Sequence, residues 1–551
     1  MSPIIKKQKV ESLPKFSSPY YQQPSNRQLV LKYLENKNKP FYILENSLEE
    51  TKEKRSNIVP NRAIVHLFTR DFRLDDNISL HKASEFSKSN HVPLITCFVY
   101  CKDDFKSHSV SAIQMNYRIK SIEEIQGRLN EKNIPLVVLK VDNRRDICSE
   151  IEKFLLAKEV SHLFSNIEYE VDELRTTKTL VHNLLKKGIC YLPFHNSCVV
   201  KPGELKTKSK GTPYSVFTPF YKSWCHYLNA KKEPFAKLNE PFPNSDAFKQ
   251  NNKDLFNSLM PELEEMSDLQ SRNFESWPIG EEKALETLTA YLDSHKVEKY
   301  SDSRNDLEED TVSYLSPHLS SGTISPRTVL KLMVDKKYLR KVDLGEPGAV
   351  AFARQIAWRD FYRHILCNWP HICMFRPFQL DYEDINWEYN QVHFEKWCKG
   401  QTGFPIVDAA MRQLINTGYM HNRCRMIVSS FLSKNLLIDW RYGERYFLEN
   451  LIDGDFASNN GGWGFSSSVG VDPQPYFRIF NAWTQSEKFD KKGTYIRKWI
   501  PELREISNEK AIHNPYGAGY GNFAKKKGYP MPIVDHKETR ERALERYRES
   551  R

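Results

Sequence analysis

Short apolar runs alternate with polar stretches along the first part of this chain. Five runs rich in β-branched residues lie at 63–68, 93–100, 134–141, 160–167 and 189–194. Each run has the length of a buried strand, and the polar stretches between the runs are long enough for helices. The pattern predicts parallel strands joined by helices, and therefore a doubly wound parallel-sheet α/β domain over residues 61–196.

The hydrophobic pattern becomes helical beyond about residue 280. Ile406, Ala409, Ala410 and Leu414, for example, follow the spacing of one helix face. We therefore predict an all-α second domain over residues 271–548. The intervening residues 197–270 are rich in Pro, Lys and Asn, which predicts an interdomain connector that wraps one domain onto the other.

Residues 1–60 are polar, with scattered prolines and with Lys6, Lys7 and Lys9 close together. This composition predicts a flexible N-terminal extension. The lysines are typical of a nuclear address or of plain solvated charge. We predict a nuclear location, and a mitochondrial one stays open, although the acidic residues of this stretch are unusual for a transit peptide.

Composition narrows the class of protein. The 551 residues include 81 Lys and Arg against 70 Asp and Glu, a net charge of +11 that mildly favours a polyanionic partner. With a mean hydropathy of -0.62, no stretch approaches the roughly 18 apolar residues of a membrane helix. The ten cysteines contain no CxxC pair, which argues against a disulfide framework and a structural zinc site. No GxGxxG follows the first strand, so a conventional NAD site is not expected.

Aromatic and polar clusters mark the second domain as the place for chemistry. Eight of the ten tryptophans lie between residues 358 and 499, interleaved with Arg and Lys. Core packing explains most tryptophans, but rings among cations also suit base stacking along a phosphate-binding groove, and Trp can relay electrons. In 451–465, Asp453 and Asp455 flank one glycine, which fits acid–base chemistry, a metal, or simply a capped helix end.

Together these segments resemble the DNA photolyase/cryptochrome family over residues 61–548. The matching segments are 69–77, 214–224, 313–327, 358–370, 402–414, 418–440, 451–465 and 472–490. Within the family, the chain is most similar to class I cyclobutane pyrimidine dimer (CPD) photolyases of fungal type. The resemblance implies a Rossmann-like antenna domain and a helical FAD-binding domain.

The resemblance also implies a reaction. Excited reduced FAD would pass an electron to a pyrimidine dimer flipped out of DNA, the ring would split, and the electron would return, which makes the protein a carbon–carbon lyase. The alternative is a blue-light cryptochrome photoreceptor with little or no repair. Asn459, where plant cryptochromes tend to carry aspartate, favours repair because an amide has no titratable proton to donate.

The family's flavin site carries over onto twelve positions. Val312 stands where the family usually has threonine, so one hydroxyl contact is lost unless Thr311 substitutes for it. Arg425 paired with Asp453 would place charge beside the flavin. The implied flavin contacts are Tyr300, Ser313, Leu315, Ser316, Phe352, Gln355, Arg359, Asn422, Arg425, Asp453, Asp455 and Asn459.

Three further sets of residues carry over. A tryptophan relay would run from the flavin outward to the surface through Trp463, Trp440 and Trp387. Gln355 stands where class I enzymes usually carry glutamate, and it cannot hold a negative charge at the lesion. The dimer pocket would comprise Gln355, Trp358, Asn422, Met426 and Phe465, and the DNA backbone would meet Arg304, Arg423, Arg478, Gln485 and Lys488.

The family's antenna site matches at Glu173 and Cys373, whereas Asp172 and Met374 replace the usual Asn and Lys. A 5,10-methenyltetrahydrofolate antenna is favoured over a deazaflavin, although the lost lysine removes a cation for the folate tail. The predicted partner is damaged DNA, with no membrane and no metal, and the protein is expected to be a monomer.

Overall fold

The structure of the protein is a computed structural model that describes residues 12–15, 27–236, 238–261 and 277–551. A five-stranded parallel sheet forms the N-terminal part, as the apolar runs predict. The strands are β1 (Ala63–Phe68), β2 (Leu94–Cys101), β3 (Leu136–Val141), β4 (Val160–Asn166) and β5 (Cys190–Phe194). Their order in the sheet is β3-β2-β1-β4-β5, so the chain crosses over once and winds on both sides.

Helices cover both faces of this sheet, which confirms the doubly wound α/β prediction. Val65 and Leu67 of β1 pack into one hydrophobic cluster, while Ile64 and Phe68 pack into a second cluster on the opposite face. Alternate side chains of one strand therefore belong to two hydrophobic cores, one on each face of the sheet. The helices up to β5 are α1 (Arg27–Leu34), α2 (Pro40–Glu50), α3 (Lys52–Ser56), α4 (Ile78–Asn90), α5 (Lys102–Ser107), α6 (Ala112–Glu131), α7 (Ile147–Ala157) and α8 (Val171–Lys186).

The prediction of a flexible extension over 1–60 is wrong for residues 27–56, which form α1 to α3. Phe41 and Leu44 of α2 lie three residues apart on one helix face and are buried in the core beneath the sheet. The Tyr42 hydroxyl donates to Asn368 Oδ1 at 2.9 Å, which ties α2 to the second domain. The many prolines and lysines of this stretch made its composition look polar, so the apolar face of α2 was not recognised from the sequence. Residues 1–11 and 16–26 lie outside the described part of the chain.

The predicted connector is also more structured than its composition indicates. It contains α9 (Phe217–Asn229) and α10 (Asp246–Asn251). Phe217, Phe220 and Trp224 of α9 are buried in a cluster of the helical domain, and the Trp224 indole donates to Asp360 Oδ2 at 3.0 Å. Residues 217–229 therefore belong to the helical domain. The end of the predicted connector, from residue 262, falls outside the described residues.

The second domain is helical, as predicted, apart from one two-stranded hairpin. Its two hydrophobic clusters meet at a large cavity, which the next subsection describes. In the described part of the chain, no helix has the length and apolar character for crossing a membrane. The remaining elements are α11 (Gly280–Asp293), α12 (Tyr300–Ser303), α13 (Ser316–Ser321), α14 (Pro326–Asp335), β6 (Leu339–Lys341), β7 (Leu344–Gly345), α15 (Pro347–Asn368), α16 (Gln391–Cys398), α17 (Pro405–Thr417), α18 (Asn422–Ser430), α19 (Trp440–Leu448), α20 (Phe456–Ser466), α21 (Ala482–Phe489), α22 (Thr494–Trp499), α23 (Gly521–Lys526) and α24 (His536–Glu549).

Candidate active site

A cavity of about 560 Å³ opens among α12, α15, α18 and α20 of the helical domain. Its volume lies within the range of roughly 300–1,000 Å³ that is usual for small-molecule and cofactor sites. The residues that line it come from segments spread between Tyr300 and Ser466. All twelve residues predicted to contact flavin line this cavity: Tyr300, Ser313, Leu315, Ser316, Phe352, Gln355, Arg359, Asn422, Arg425, Asp453, Asp455 and Asn459.

An ion pair between the buried Asp453 and the partly exposed Arg425 lies in one wall of the cavity. Arg425 Nη2 donates to Asp453 Oδ2 at 2.7 Å, and Arg425 Nε donates to the Met420 carbonyl at 2.8 Å. The guanidinium also lies 5.6 Å from the centre of the Tyr419 ring. These contacts hold the Arg425 charge in one orientation at the cavity wall, where it can face an anionic ligand.

A second buried ion pair joins Asp455 to Arg363 at 2.5 Å. Asp455 also begins α20, because its side chain accepts the Ser458 N–H at 2.8 Å. Burial alone would raise the pKa of Asp455, but the charges of Arg363 and Arg359 outweigh burial and hold that pKa well below its usual range. Arg363 is a site residue that the sequence reasoning missed. It lies one helical turn beyond Arg359, and this spacing was the only signal for it.

Arg359 is anchored by backbone carbonyls of two different segments. Its guanidinium donates to the Leu319 carbonyl at 3.2 Å and also to the Ser197 carbonyl. Burial, followed by the nearby Arg363 charge, lowers the pKa of Arg359 to about 10, so that the side chain stays charged at neutral pH. Arg359 therefore presents a fixed cation to the cavity.

Asn459 is oriented by α19. Its amide Nδ2 donates to the Glu444 carbonyl at 3.0 Å, and the neighbouring Asn460 donates to Glu444 Oε1 at 2.9 Å. Because the Asn459 N–H is engaged with α19, its amide oxygen is free to turn toward the cavity. Burial raises the pKa of Glu444 to about 8, which keeps this carboxyl protonated at neutral pH. No sequence signal pointed to Glu444.

The serine-containing turn before α13 forms another wall. Ser313, Leu315 and Ser316 line the cavity, as does Val312. Thr311 does not compensate for the hydroxyl that is missing at Val312, because its own hydroxyl donates to the Ser303 carbonyl at 3.0 Å. The turn therefore offers serine hydroxyls and backbone, with one hydroxyl fewer than the family pattern.

The five residues predicted to form the dimer pocket line the same cavity: Gln355, Trp358, Asn422, Met426 and Phe465. Trp358 is stacked on Phe217 of α9, with ring centroids 3.6 Å apart and the planes 8° from parallel. This contact fixes the Trp358 ring as a rigid wall. Gln355 donates from Nε2 to the Ala351 carbonyl at 3.2 Å, which leaves its amide oxygen to accept from a ligand.

The three tryptophans of the predicted relay are all buried. Trp463 lines the cavity, and Gly443 makes room for it, because a Cβ at that position would collide with the indole. The nearest indole in ring contact with Trp463 is Trp397, at 6.2 Å. Within the described residues, the indole N–H groups of Trp463, Trp440 and Trp387 have no hydrogen-bond partner.

The expectation that the relay reaches the surface at Trp387 is wrong, since only 6% of that side chain is exposed. Its indole is in edge-to-face contact with Tyr547 of α24, with ring centroids 6.1 Å apart. The covering helix lies 160 residues further along the chain, so the sequence around Trp387 carried no sign of it.

Of the five residues predicted to hold DNA, two line the cavity, whereas Arg478, Gln485 and Lys488 do not. Arg304 and Arg423 line the cavity itself. Arg423 donates to Asn305 Oδ1 at 3.0 Å, and Lys488 lies 5.4 Å from the Phe489 ring that Arg423 also covers. Arg304, Arg478 and Lys488 are exposed, and Gln485 on α21 is partly exposed. Arg304, which is exposed and lines the cavity, therefore places a positive charge at the opening.

A second cavity, of about 240 Å³, opens at the carboxyl ends of the parallel strands and reaches the helical domain. Glu173 and Cys373, the predicted antenna contacts, both line it. Asp172 is paired with Arg144 and does not offer a free carboxylate, while Met374 is 2% exposed. Crevices at this edge of a doubly wound sheet are common ligand sites.

Comparison with known proteins agrees with this geometry. The family model described as "DNA photolyase" matches residues 64–243, and "FAD binding domain of DNA photolyase" matches residues 352–549. A deoxyribodipyrimidine photo-lyase of Neurospora crassa is 44% identical, over 93% of this chain and 85% of the relative. The mitochondrial deoxyribodipyrimidine photo-lyase of Saccharomyces cerevisiae is 37% identical, over 93% of this chain and 90% of the relative. The crystal structure of a class III photolyase from Agrobacterium tumefaciens superposes with a TM-score of 0.75 at 31% identity, over 89% of this chain and 98% of the other.

Proposed function

This chain belongs to the DNA photolyase family, and we propose that it repairs cyclobutane pyrimidine dimers in DNA in a light-dependent reaction within the cavity of its helical domain. One observation supports this most directly. Residues implied to bind FAD and residues implied to enclose the dimer line a single cavity, although they come from segments far apart in the chain. A lesion and a cofactor can therefore meet within contact distance.

The residues present fit FAD. The cavity offers serine hydroxyls, the cations of four arginines that include Arg359 and Arg425, and the buried carboxylates of Asp453 and Asp455. Hydroxyls and cations suit the phosphates of such a cofactor, and carboxylates suit its N–H groups. FAD, when bound there, supplies a light-excited electron to the dimer. The chain itself would hold the cofactor through Ser313, Ser316 and Arg359, and it positions the amide of Asn459 at the cavity wall.

The aromatic walls bind the lesion. An enzyme that acts on a base within a duplex flips the nucleotide into a pocket and offsets the unstacking cost with its own contacts. Trp358 and Phe465 provide apolar faces for the dimer, and Gln355 and Asn422 provide amide groups for its pyrimidine edges. Trp358 is stacked on Phe217 of α9, which holds this wall of the pocket in place.

Illumination tests this function. Reduced, FAD-loaded protein is mixed with dimer-containing DNA, exposed to blue light and followed by the return of pyrimidine absorbance. We expect absorbance to return in the light and not in the dark. No return with fully loaded and reduced protein would contradict repair, and would instead favour the photoreceptor alternative.

Removing the stacked wall is expected to weaken lesion binding. Trp358→Ala should reduce the dark affinity for dimer-containing DNA by about 1–3 kcal/mol, the range measured for loss of one base–aromatic stack. The measurement is a binding titration in the dark, with undamaged DNA as reference. Trp369→Ala is the matched control, because Trp369 lies on the same chain segment but packs against Phe378 instead of lining the cavity. Equal losses for both variants would contradict the pocket assignment.

The exposed cations are expected to act through phosphates. Lys488→Gln should weaken binding to damaged and undamaged DNA alike, and should reduce the slope of log K against log salt by about 1. The matched control is Lys153→Gln, because Lys153 is 78% exposed on α7 of the other domain. A change in lesion preference with an unchanged salt slope would contradict a phosphate contact.

We also propose that the second cavity holds a light-harvesting chromophore of the folate class, supported by Glu173 and Cys373 in its walls. We further propose that the protein is a monomer located in the nucleus or the mitochondrion. The yeast relative carries the word mitochondrial in its name, and the lysine cluster near the start of this chain is typical of a nuclear address. Fluorescence of the tagged full-length chain in cells tests the location.

A further inference from the structure

The burial of Trp387 creates a chemical problem at the end of the relay. With 6% of its side chain exposed, Trp387 cannot exchange an electron with a dissolved reductant through direct contact. Its indole N–H has no hydrogen-bond partner among the described residues, so an oxidised indole has no neighbour to take its proton. The positive charge would stay on the Trp387 ring. Unless another group donates an electron, the electron that Trp387 gave up would return to it along the relay.

Three tyrosines, here called the tyrosine cluster, lie beyond Trp387: Tyr382, Tyr476 and Tyr547. Tyr547 contacts Trp387 at 6.1 Å. Tyr382 lies 5.6 Å from Tyr547, and Tyr476 is stacked on Tyr547 at 6.4 Å with planes 10° from parallel. These spacings are those of packed aromatic pairs, so the rings form a continuous path.

Only one member of the cluster borders solvent. Tyr547 is 1% exposed and Tyr382 is 4% exposed, whereas Tyr476 is partly exposed. Tyr476 lies on the loop that also carries Arg478, outside the helices of the domain. A reductant in solution can therefore approach Tyr476 but not the two other rings.

The three tyrosines also differ in whether their phenolic proton has a place to go. The Tyr547 hydroxyl donates to the Ser467 carbonyl at 2.7 Å, and a carbonyl does not take up a proton at neutral pH. Burial raises the pKa of Tyr547 and of Tyr382, so loss of a proton from either one is disfavoured. Tyr476, at the solvent border, can release its phenolic proton to water.

Nearby cations disfavour a positively charged tyrosine ring, so an oxidised tyrosine in this cluster must lose its phenolic proton. Arg551 lies 5.2 Å from the Tyr476 ring centre and 5.8 Å from the Tyr382 ring centre. Lys434 Nζ lies 5.9 Å from the Tyr547 ring centre, but burial lowers the pKa of Lys434 to about 7, so that only part of this charge is present at neutral pH. Positive charge at these distances opposes a radical cation on any of the rings. A hole is therefore stable in the cluster only where the phenol loses its proton at the same time.

We propose that Tyr476 is the terminal electron donor of the relay, reached from Trp387 through Tyr547. The proposal rests on the proposed function, because light-driven oxidation of the relay must first produce a Trp387 radical cation. One electron passes from Tyr476 to that cation, and the phenolic proton of Tyr476 goes to water, which leaves a neutral tyrosyl radical. A thiol in solution then gives one hydrogen atom to the phenoxyl oxygen and becomes a thiyl radical.

The test is flash excitation of the FAD-loaded full chain with its flavin oxidised, without DNA, followed by transient absorption and electron paramagnetic resonance. Protein made with ring-deuterated tyrosine identifies a tyrosyl signal. We expect a tryptophanyl signal that gives way to a tyrosyl signal, more slowly in heavy water. In Tyr476→Phe protein the tyrosyl signal should be lost, and steady light with a thiol should reduce flavin at least about tenfold more slowly.

Tyr382→Phe is the matched control, because Tyr382 contacts the same Tyr547 ring and the same Arg551 but is buried. It should keep the tyrosyl signal. An unchanged tyrosyl signal in Tyr476→Phe protein, or its loss in Tyr382→Phe protein, would overturn the proposal while leaving repair intact. Absence of any tryptophanyl signal in the unaltered protein, together with failure to repair dimers after chemical reduction, would instead overturn the proposed function. Melting curves confirm that both variants fold.

Discussion

In blue light, Trp463→Phe protein is expected to keep its flavin oxidised under conditions in which the unaltered protein reduces it. Trp463 is the member of the predicted relay that lines the cavity, and phenylalanine fills much of the same space but is much harder to oxidise. The rate of light-driven flavin reduction should fall at least about tenfold, since each added 1.4 kcal/mol of barrier costs a factor of ten. The measurement is the loss of the flavin absorption band during steady illumination with a thiol.

Two controls separate a relay from a structural effect. Trp397→Phe alters the other indole in ring contact with Trp463, but Trp397 is fully buried and donates to the Val428 carbonyl at 3.2 Å. Photoreduction should be retained in that variant if Trp440 carries the electron. Chemical reduction should also rescue repair in Trp463→Phe protein, because it bypasses the relay. Equal loss in both variants would refute the path through Trp440.

The second large effect is expected at the buried ion pair of Asp455 and Arg363. Asp455→Asn keeps the helix cap, because the amide oxygen can still accept the Ser458 N–H, but it leaves the Arg363 charge unpaired. Removing one partner of a buried pair costs about 3–5 kcal/mol. We expect this loss in the free energy of unfolding, together with release of flavin, measured by urea titration and by absorbance after gel filtration.

The double variant Asp455→Leu with Arg363→Met is the control for this prediction. It removes both charges of this pair together, so it should recover part of the stability lost in Asp455→Asn. The losses in the free energy of unfolding are also measured for Asp455→Leu alone and for Arg363→Met alone. If the loss in the double variant equals the sum of these two losses, the two side chains are not coupled and the ion-pair interpretation fails.

The same pair predicts a pH dependence. The folded-state pKa of Asp455 lies well below the roughly 3.9 of a free aspartate, so its contribution to stability is complete above about pH 4 and is lost as the pH falls further. Unaltered protein should therefore lose stability on acidification below about pH 4. Asp455→Asn should lack this component, and parallel pH profiles for the two proteins would contradict the prediction.

The sequence predicted much of this fold because the decisive information is local. The five apolar runs became the five strands, since a strand buried on both faces needs consecutive apolar residues. The motifs around Asp453 and Asn422 pointed in advance to side chains that line the cavity, because each motif lies at the start of one helix. Arg363 and Glu444 were not predicted as site residues, because their partners Asp455 and Asn460 belong to another helix.

What the sequence by itself determined is thus the strand and helix pattern and the family of the chain, with the side chains that line the main cavity. Only the tertiary structure decided that α1 to α3 pack against both domains, that α9 supports Trp358, and that α24 covers Trp387. The physical reason is that periodicity reports which face of an element is apolar, whereas burial and ion pairing depend on which distant segment meets that face.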